Sequence, residues 1–239
     1  MADTGAITKS YTFEIIPDDL EMLAMAERLQ HGLTGHVMFK HRTYPDDHFE
    51  KFSFDFRLWL PYQKYPESRE EILVAKFSIH RNRKTLYLDT LRIPEHCQQR
   101  GVGKTFVRNL FEEMIAMGIE EISMRTEKIG SYFWLRCGGQ PEGHVSLWTL
   151  RCKDMTEAIA KRLQELKAAG DYAAIADLRD ETTNYGFLLT NDSEWSGKID
   201  LKDPAVLSRL QQYLGLRFAH EPAARRMTKG RLLINEGVG

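Results

Sequence analysis

Phe52-Ser-Phe-Asp-Phe-Arg-Leu-Trp-Leu60 alternates apolar and polar residues with a period of two. Phe52, Phe54, Phe56, Leu58 and Leu60 share one face, and Ser53, Asp55, Arg57 and Trp59 share the other, as in a half-buried strand. Pro61 and the turn at Pro66-Glu67-Ser68 are expected to end it. Ile72 to His80 and Leu86 to Ile93 read as two further strands, joined by the basic turn Arg81-Asn82-Arg83-Lys84. Three successive strands with short connections predict an antiparallel meander.

The period then changes. From Lys104 to Met117, Phe106, Val107, Leu110, Phe111, Met114 and Ile115 recur at helical spacing, and Gly118 supplies a stop. Glu121 to Thr126 returns to alternation. A strand, a helix and a strand in this order predict a right-handed crossover with the two strands parallel. Ser131 to Arg136 reads as a short aromatic helix stopped by Gly138-Gly139, and Val145 to Cys152 as another strand. At the N-terminal end, Tyr11 to Ile16 is a strand candidate. A helix opening at Pro17-Asp18-Asp19 follows, with Met22, Leu23, Ala26 and Leu29 as its apolar stripe. The stretch from Gly32 to Lys51, rich in His, Gly and Asp, reads as a loop.

Beyond Lys153 the chain becomes mainly helical. Met155, Ile159, Leu163 and Leu166 mark one helix, ended by Gly170, and Asp171 is placed to cap a second. Phe187 to Thr190 is a candidate late strand, and Pro204 to Leu214 another helix. The division expected is a core domain over 1–152 and a mainly helical extension over 153–239.

Composition narrows the class. The 239 residues are 42% hydrophobic and 28% charged, with a formal net charge of -1, so no global charge draws the chain to nucleic acid or membrane. The basic run from Arg217 reads as a solvated tail. Neither a membrane span nor a secretory signal is evident, and Cys97, Cys137 and Cys152 form neither a disulfide framework nor a zinc knuckle. The expectation is a reduced, cytoplasmic protein. His31, His36, His41 and His48 lack metal-ligand spacing, so no metal is expected. Cys97, beside His96, has no further base to make it a nucleophile.

The chemistry concentrates at Gln98-Gln99-Arg100-Gly101-Val102-Gly103-Lys104-Thr105. Glycines two residues apart at a helix start let the backbone approach a phosphate, and the free amides of the first turn point at it. Gly101-Val102-Gly103-Lys104-Thr105 matches the second half of a P-loop, but the first glycine of that motif is replaced by Gln98. Pro94-Glu95-His96-Cys97 also separates the strand from the glycines, which a P-loop does not allow.

Gln98-x-x-Gly101-x-Gly103 resembles instead the acyl-CoA pyrophosphate loop of the GNAT superfamily of N-acyltransferases. Leu91-x-Ile93, five residues earlier, resembles the hydrophobic pair that ends the family's fourth strand. The helix, strand and short aromatic helix then follow in family order. The resemblance covers residues 11 to 152 and is most specific over Leu88 to Gly139. It implies an α/β fold: a mixed, mostly antiparallel sheet whose central parallel strands splay apart, flanked by helices. It also implies that Gln98, Gln99, Arg100, Gly101, Val102, Gly103, Lys104 and Thr105 bind the pyrophosphate of acetyl-CoA. Backbone groups of Leu91, Arg92 and Ile93 would pair with the pantetheine arm.

Acyl transfer to an amine needs the amine neutral, hence a base, and the leaving thiolate needs a proton. Asp89 lies on the cofactor strand, where family members often carry an acidic base; its other reading is a structural partner for Arg92. The family's acid is often a tyrosine four residues before the glycine that ends the short helix. Here that residue is Trp134, and Tyr132 is the candidate that remains. The function implied is acetyl transfer from acetyl-CoA to an amine by direct attack in a ternary complex. The acceptor stays open among small amines, protein lysines or N-termini, and aminoacyl-tRNA. No membrane partner and no other nucleic acid is expected, and a homodimer is compatible with the chain. A CoA-binding regulatory or interaction module without catalysis is the second reading.

Overall fold

The computed structural model describes residues 20–44, 51–62, 65–98, 101–143, 155–191 and 193–216. Seven strands form one mixed sheet: β1 His36–Tyr44, β2 Lys51–Tyr62, β3 Tyr65–His80, β4 Thr85–Arg92, β5 Glu121–Glu127, β6 Gln140–Pro141 and β7 Glu194–Asp200. Their order across the sheet is β1-β2-β3-β4-β5-β7-β6. Among the described residues only β4 and β5 run parallel; the other pairs are antiparallel. The helices are α1 Leu20–Leu29, α2 Val102–Ala116, α3 Ile129–Arg136, α4 Glu157–Ala169, α5 Tyr172–Ala176, α6 Tyr185–Thr190 and α7 Pro204–Leu214. The meander and the parallel crossover expected from the residue periods, and the mixed α/β architecture that the resemblance implied, are all present.

One row of side chains shows why the sheet has an apolar face. Phe54 lies opposite Phe77, Phe77 opposite Leu88, Leu88 opposite Met124 and Met124 opposite Gly197. Side chains paired across neighbouring strands point to the same face, so this register keeps the apolar set together along the row. The Phe54 and Phe77 rings stack at 4.9 Å, and Phe56 meets Phe106 of α2 at 4.9 Å. Both Phe56 and Phe106 are fully buried. Burying each such ring stabilises the fold by about 2–3 kcal/mol.

Helix α1 docks on α2 through polar groups as well as its apolar stripe. The buried Asn109 amide donates to the carbonyls of Leu29 and His31 at 2.9 and 2.7 Å, satisfying the end of α1. Glu113 accepts from Arg28 Nη2 at 2.6 Å. This fixes the turn after α1 over the start of α2, where a Cβ on Gly32 would lie 3.6 Å from Thr105 Cγ2.

Several elements differ from the sequence reading. The stretch read as a loop contains β1, whose apolar residues Val37, Met38 and Phe39 stand together within a basic, histidine-rich run and show no alternation. Strand β2 continues through Pro61 to Tyr62, and β3 begins at Tyr65 rather than Ile72. Phe187 to Thr190 is helical, inside α6, because the Asn184 side chain caps it by accepting from Phe187 N at 3.1 Å. The late strand is β7, which enters the sheet between β5 and β6. Its apolar period, Trp195-Gly197-Ile199, is hidden by the glycine, and that glycine is needed for close approach. A Cβ there would meet the Gln140 carbonyl oxygen at 2.2 Å. Between β6 and β7, helices α4 to α6 build a second small core of Leu163, Leu166, Ile175, Leu178, Tyr185 and Leu189. The strand candidates Tyr11–Ile16 and Val145–Cys152, and the basic run from Arg217, lie outside the described residues.

Candidate acyl-donor site

The parallel pairing of β4 with β5 runs from Thr85↔Glu121 to Leu88↔Met124 and then stops. Beyond that point, among the described residues, β4 pairs only with β3, as far as Arg92, and β5 only with β7, as far as Glu127. The cause lies at Asp89. Phe77 pairs with Leu88 and Lys76 with Thr90, so Asp89 is the extra residue of a β-bulge. A bulge bends its strand and sharpens its twist, which carries β4 away from β5. Among the described residues, no strand pairs the backbone groups on the facing edges of the two strands beyond Leu88 and Met124.

At the end of β4 the chain turns back in a tight path. The Gln98 side chain donates from Nε2 to the Ile93 carbonyl at 3.1 Å, closing the turn from the strand to the glycines. His96 bonds Glu70 of β3, a second anchor for the same turn. Gly101 then sits at φ 78°, a left-handed conformation that an L side chain resists, as N-cap of α2. Among the described residues no side chain caps this helix, and no acidic residue lies in its first turn. Its first internal bond is Thr105 N to the Gly101 carbonyl at 2.8 Å. The amides of Val102, Gly103 and Lys104 therefore leave the helix end without internal partners, at the positive pole of the helix dipole. A Cβ on Gly103 would lie 2.4 Å from Ile93 Cδ1, so the glycine lets this turn lie against the strand end. Amides without a side-chain cap, a glycine in the turn and a first turn free of acidic residues suit a phosphate. Gln99 and Arg100 lie outside the described residues.

Asp89 is exposed to solvent, yet burial of its surroundings pushes its carboxyl above the ordinary carboxylate range, with Lys51 and His80 partly opposing the shift. The shift disfavours the ionised form in the folded state. Below the carboxylate range both folded and unfolded chains hold the proton and the group contributes nothing. As pH rises through the unfolded value and then the raised folded value, the carboxylate costs stability. Asp89→Asn should therefore match the wild type in acid and melt at an equal or higher temperature at neutral pH. A neutral-pH melting point clearly below the wild type would refute this.

Trp134 is buried in the main core, 6.3 Å from Phe111 of α2. Tyr132, two residues earlier, faces elsewhere. Its ring meets Phe187 of α6 edge-on at 5.2 Å. Its hydroxyl accepts from Asn184 Nδ2 at 3.0 Å and from Arg136 Nη1 at 3.4 Å. Asp89 and Tyr132 share none of these neighbours. Lys104 reaches over the Tyr213 ring of α7, with Nζ 5.3 Å from its centroid. Tyr213 and Asn184 had no sequence signal, because each comes from a distant part of the chain, whereas Arg136 stands one helical turn after Tyr132. Cys97 and Cys137 are both buried and neither forms a disulfide; burial pushes the Cys137 thiol well up. Among the described residues, no helix is long and apolar enough to cross a membrane.

No protein-family model matches the sequence, and no curated protein does. Solved structures with partial likeness include a Bacillus subtilis acetyltransferase in complex with CoA, 14% identical over 62% of this chain and 77% of the other, with TM-score 0.33. Another is an IAA acetyltransferase from Bacillus cereus, 12% identical over 69% and 99%, TM-score 0.33. A third is mutant spermidine/spermine N-acetyltransferase SpeG from Vibrio cholerae, 11% identical over 69% and 73%, TM-score 0.35. Overlaps this loose decide neither fold nor chemistry, which rest on the sheet order and the geometry above.

Proposed function

We propose that the chain is a GNAT-type N-acyltransferase that moves an acetyl group from acetyl-CoA to an amine by direct attack in a ternary complex. The observation that supports it is a coincidence of two features at one place. The β4–β5 pair opens at the Asp89 bulge, and an uncapped glycine-flanked helix start stands at the end of β4. The first gives a strand edge for an amide-bearing arm, and the second an anion cradle for a pyrophosphate.

In this reading the amides of 101–105, with the Lys104 charge and the Thr105 hydroxyl, hold the diphosphate. The edge of Leu91, Arg92 and Ile93 pairs with the pantetheine arm. Asp89 is the base: its carboxylate takes a proton from the acceptor ammonium, and the amine nitrogen attacks the thioester carbonyl carbon. The carbon–sulfur bond then breaks, and the CoA thiolate takes a proton. Tyr132 is the candidate donor, since its oxygen accepts from Asn184 and Arg136 and so retains its own proton to give.

The burial of Trp134 at the position where the family often has its acid favours a second reading, a CoA-binding module without turnover. Release of free CoA thiol, followed over a mixed panel of small amines, lysine peptides and aminoacyl-tRNA, separates the two. The enzyme reading predicts acceptor-dependent release well above thioester hydrolysis. Tight CoA binding with no acceptor-dependent release would leave only the module.

A further inference from the structure

Helix α7 belongs to a part of the chain that the family resemblance does not reach, yet its last turn touches the start of α2. Tyr213 is partly buried, and its ring receives two cations. Lys104 Nζ lies 5.3 Å from the ring centroid, and the Arg136 guanidinium of α3 lies 4.2 Å from it. Phe133 packs against the same ring at 5.7 Å. Arg136 is itself tied down, with Nε on Asp177 Oδ1 at 3.0 Å, and Asp177 also pairs with Arg209 of α7. Burial pushes the Tyr213 hydroxyl up to about 12, so the ring stays a neutral phenol.

The arrangement answers an electrostatic problem. Lys104 stands in the first turn of α2, where a cation opposes the helix dipole and no acidic residue offsets it. A lysine on a long flexible stem would otherwise turn away into water. An aromatic face within about 6 Å of an ammonium attracts it without neutralising its charge, whereas a carboxylate would cancel the charge a phosphate needs. We propose that Tyr213 is a positioning residue that holds Lys104 beside the α2 amides, so that the terminal helix completes the anion site.

This rests on the reading of residues 98–105 as the CoA diphosphate site. Preorganising one cation lowers the ordering cost of binding, so the effect belongs in affinity rather than in the chemical step. In calorimetric titrations with CoA, Tyr213→Leu should weaken binding about five- to tenfold. Tyr213→Phe, which keeps the ring, should stay within about twofold of wild type. In a Lys104→Met background the leucine substitution should add nothing, because the cation it positions is gone. Pantetheine, which lacks the phosphates, should bind all the variants alike.

If Tyr213→Leu fails to fold, Tyr213→Met, which fills the space with a flexible chain, carries the same expectations. Equal CoA affinity in wild type and the ring-less variant would overturn the proposal. So would an undiminished loss in the Lys104→Met background, which would mark Tyr213 as a packing residue only. A wild-type protein that binds no CoA would overturn the diphosphate reading itself, a failure distinct from either of these.

Discussion

Gly103→Leu is expected to weaken CoA binding by about a hundredfold, or about 2.7 kcal/mol, while the chain still folds. Two opposed effects set this outcome. Among the described residues the new Cβ would meet only the Ile93 side chain, with its far end, Cδ1, at 2.4 Å and able to rotate aside. Replacing glycine inside the first turn also favours the helix by up to about 1 kcal/mol, which offsets the strain. The rest of the leucine side chain must then occupy the space beside the amides of Val102 and Lys104, where a phosphate oxygen would have to come. Circular dichroism and a thermal melt check the fold, and calorimetry checks the binding. A folded variant with wild-type affinity would remove the diphosphate from this helix end. Gly101 makes the contrast, because its φ of 78° is the constraint and a Cβ there has no neighbour within 4 Å. Gly101→Ala should cost about 1 kcal/mol of stability through backbone strain alone.

Trp195→Ala is expected to destabilise the whole sheet by about 3–5 kcal/mol, a large part of the roughly 5–15 kcal/mol by which a domain is stable. Trp195 is buried on β7, and its ring lies where a Cβ on Gly139 would come within 2.6 Å of it. β7 pairs along β5 from Glu121↔Asp200 to Glu127↔Glu194, so it supports the strand that forms one wall of the opening. Removing the indole leaves a cavity between β7 and the end of α3. Chemical denaturation should show a single transition moved to lower denaturant. A second, unshifted transition for the region before residue 143 would mean that β7 is dispensable to that region.

The parts of the fold legible in the sequence are those where one residue period is long and undiluted. β2 and α2 carry such runs, and the crossover rule then places β4 beside β5 without any distance information. β1 and β7 fail for the opposite reason. Each has only two or three apolar positions, set among basic residues in one and around Gly197 in the other. Their strand character comes from a partner's edge rather than from their own pattern. The glycine loop was legible because backbone conformation and missing side chains are themselves local properties. What held the loop in place was not. Gln98 reaches the Ile93 carbonyl, Lys104 leans on Tyr213, and Tyr132 turns its hydroxyl to Asn184. The first joins a side chain to a carbonyl five residues back and the other two join groups distant in sequence, and no spacing rule encodes them. The bulge is the clearest instance: the residues around Asp89 read as uninterrupted strand, and only the register against Lys76 and Phe77 reveals the extra residue.

The most direct measurement is amide hydrogen exchange with and without saturating CoA. If the diphosphate lies at the start of α2 and the pantetheine arm along the open edge of β4, protection should appear at the amides of 101–105 and of Leu91 to Ile93. The buried pairing of β2 with β3 should be unchanged. CoA binding with protection confined to other segments, or no binding at all, would contradict the placement of the acyl donor on this chain.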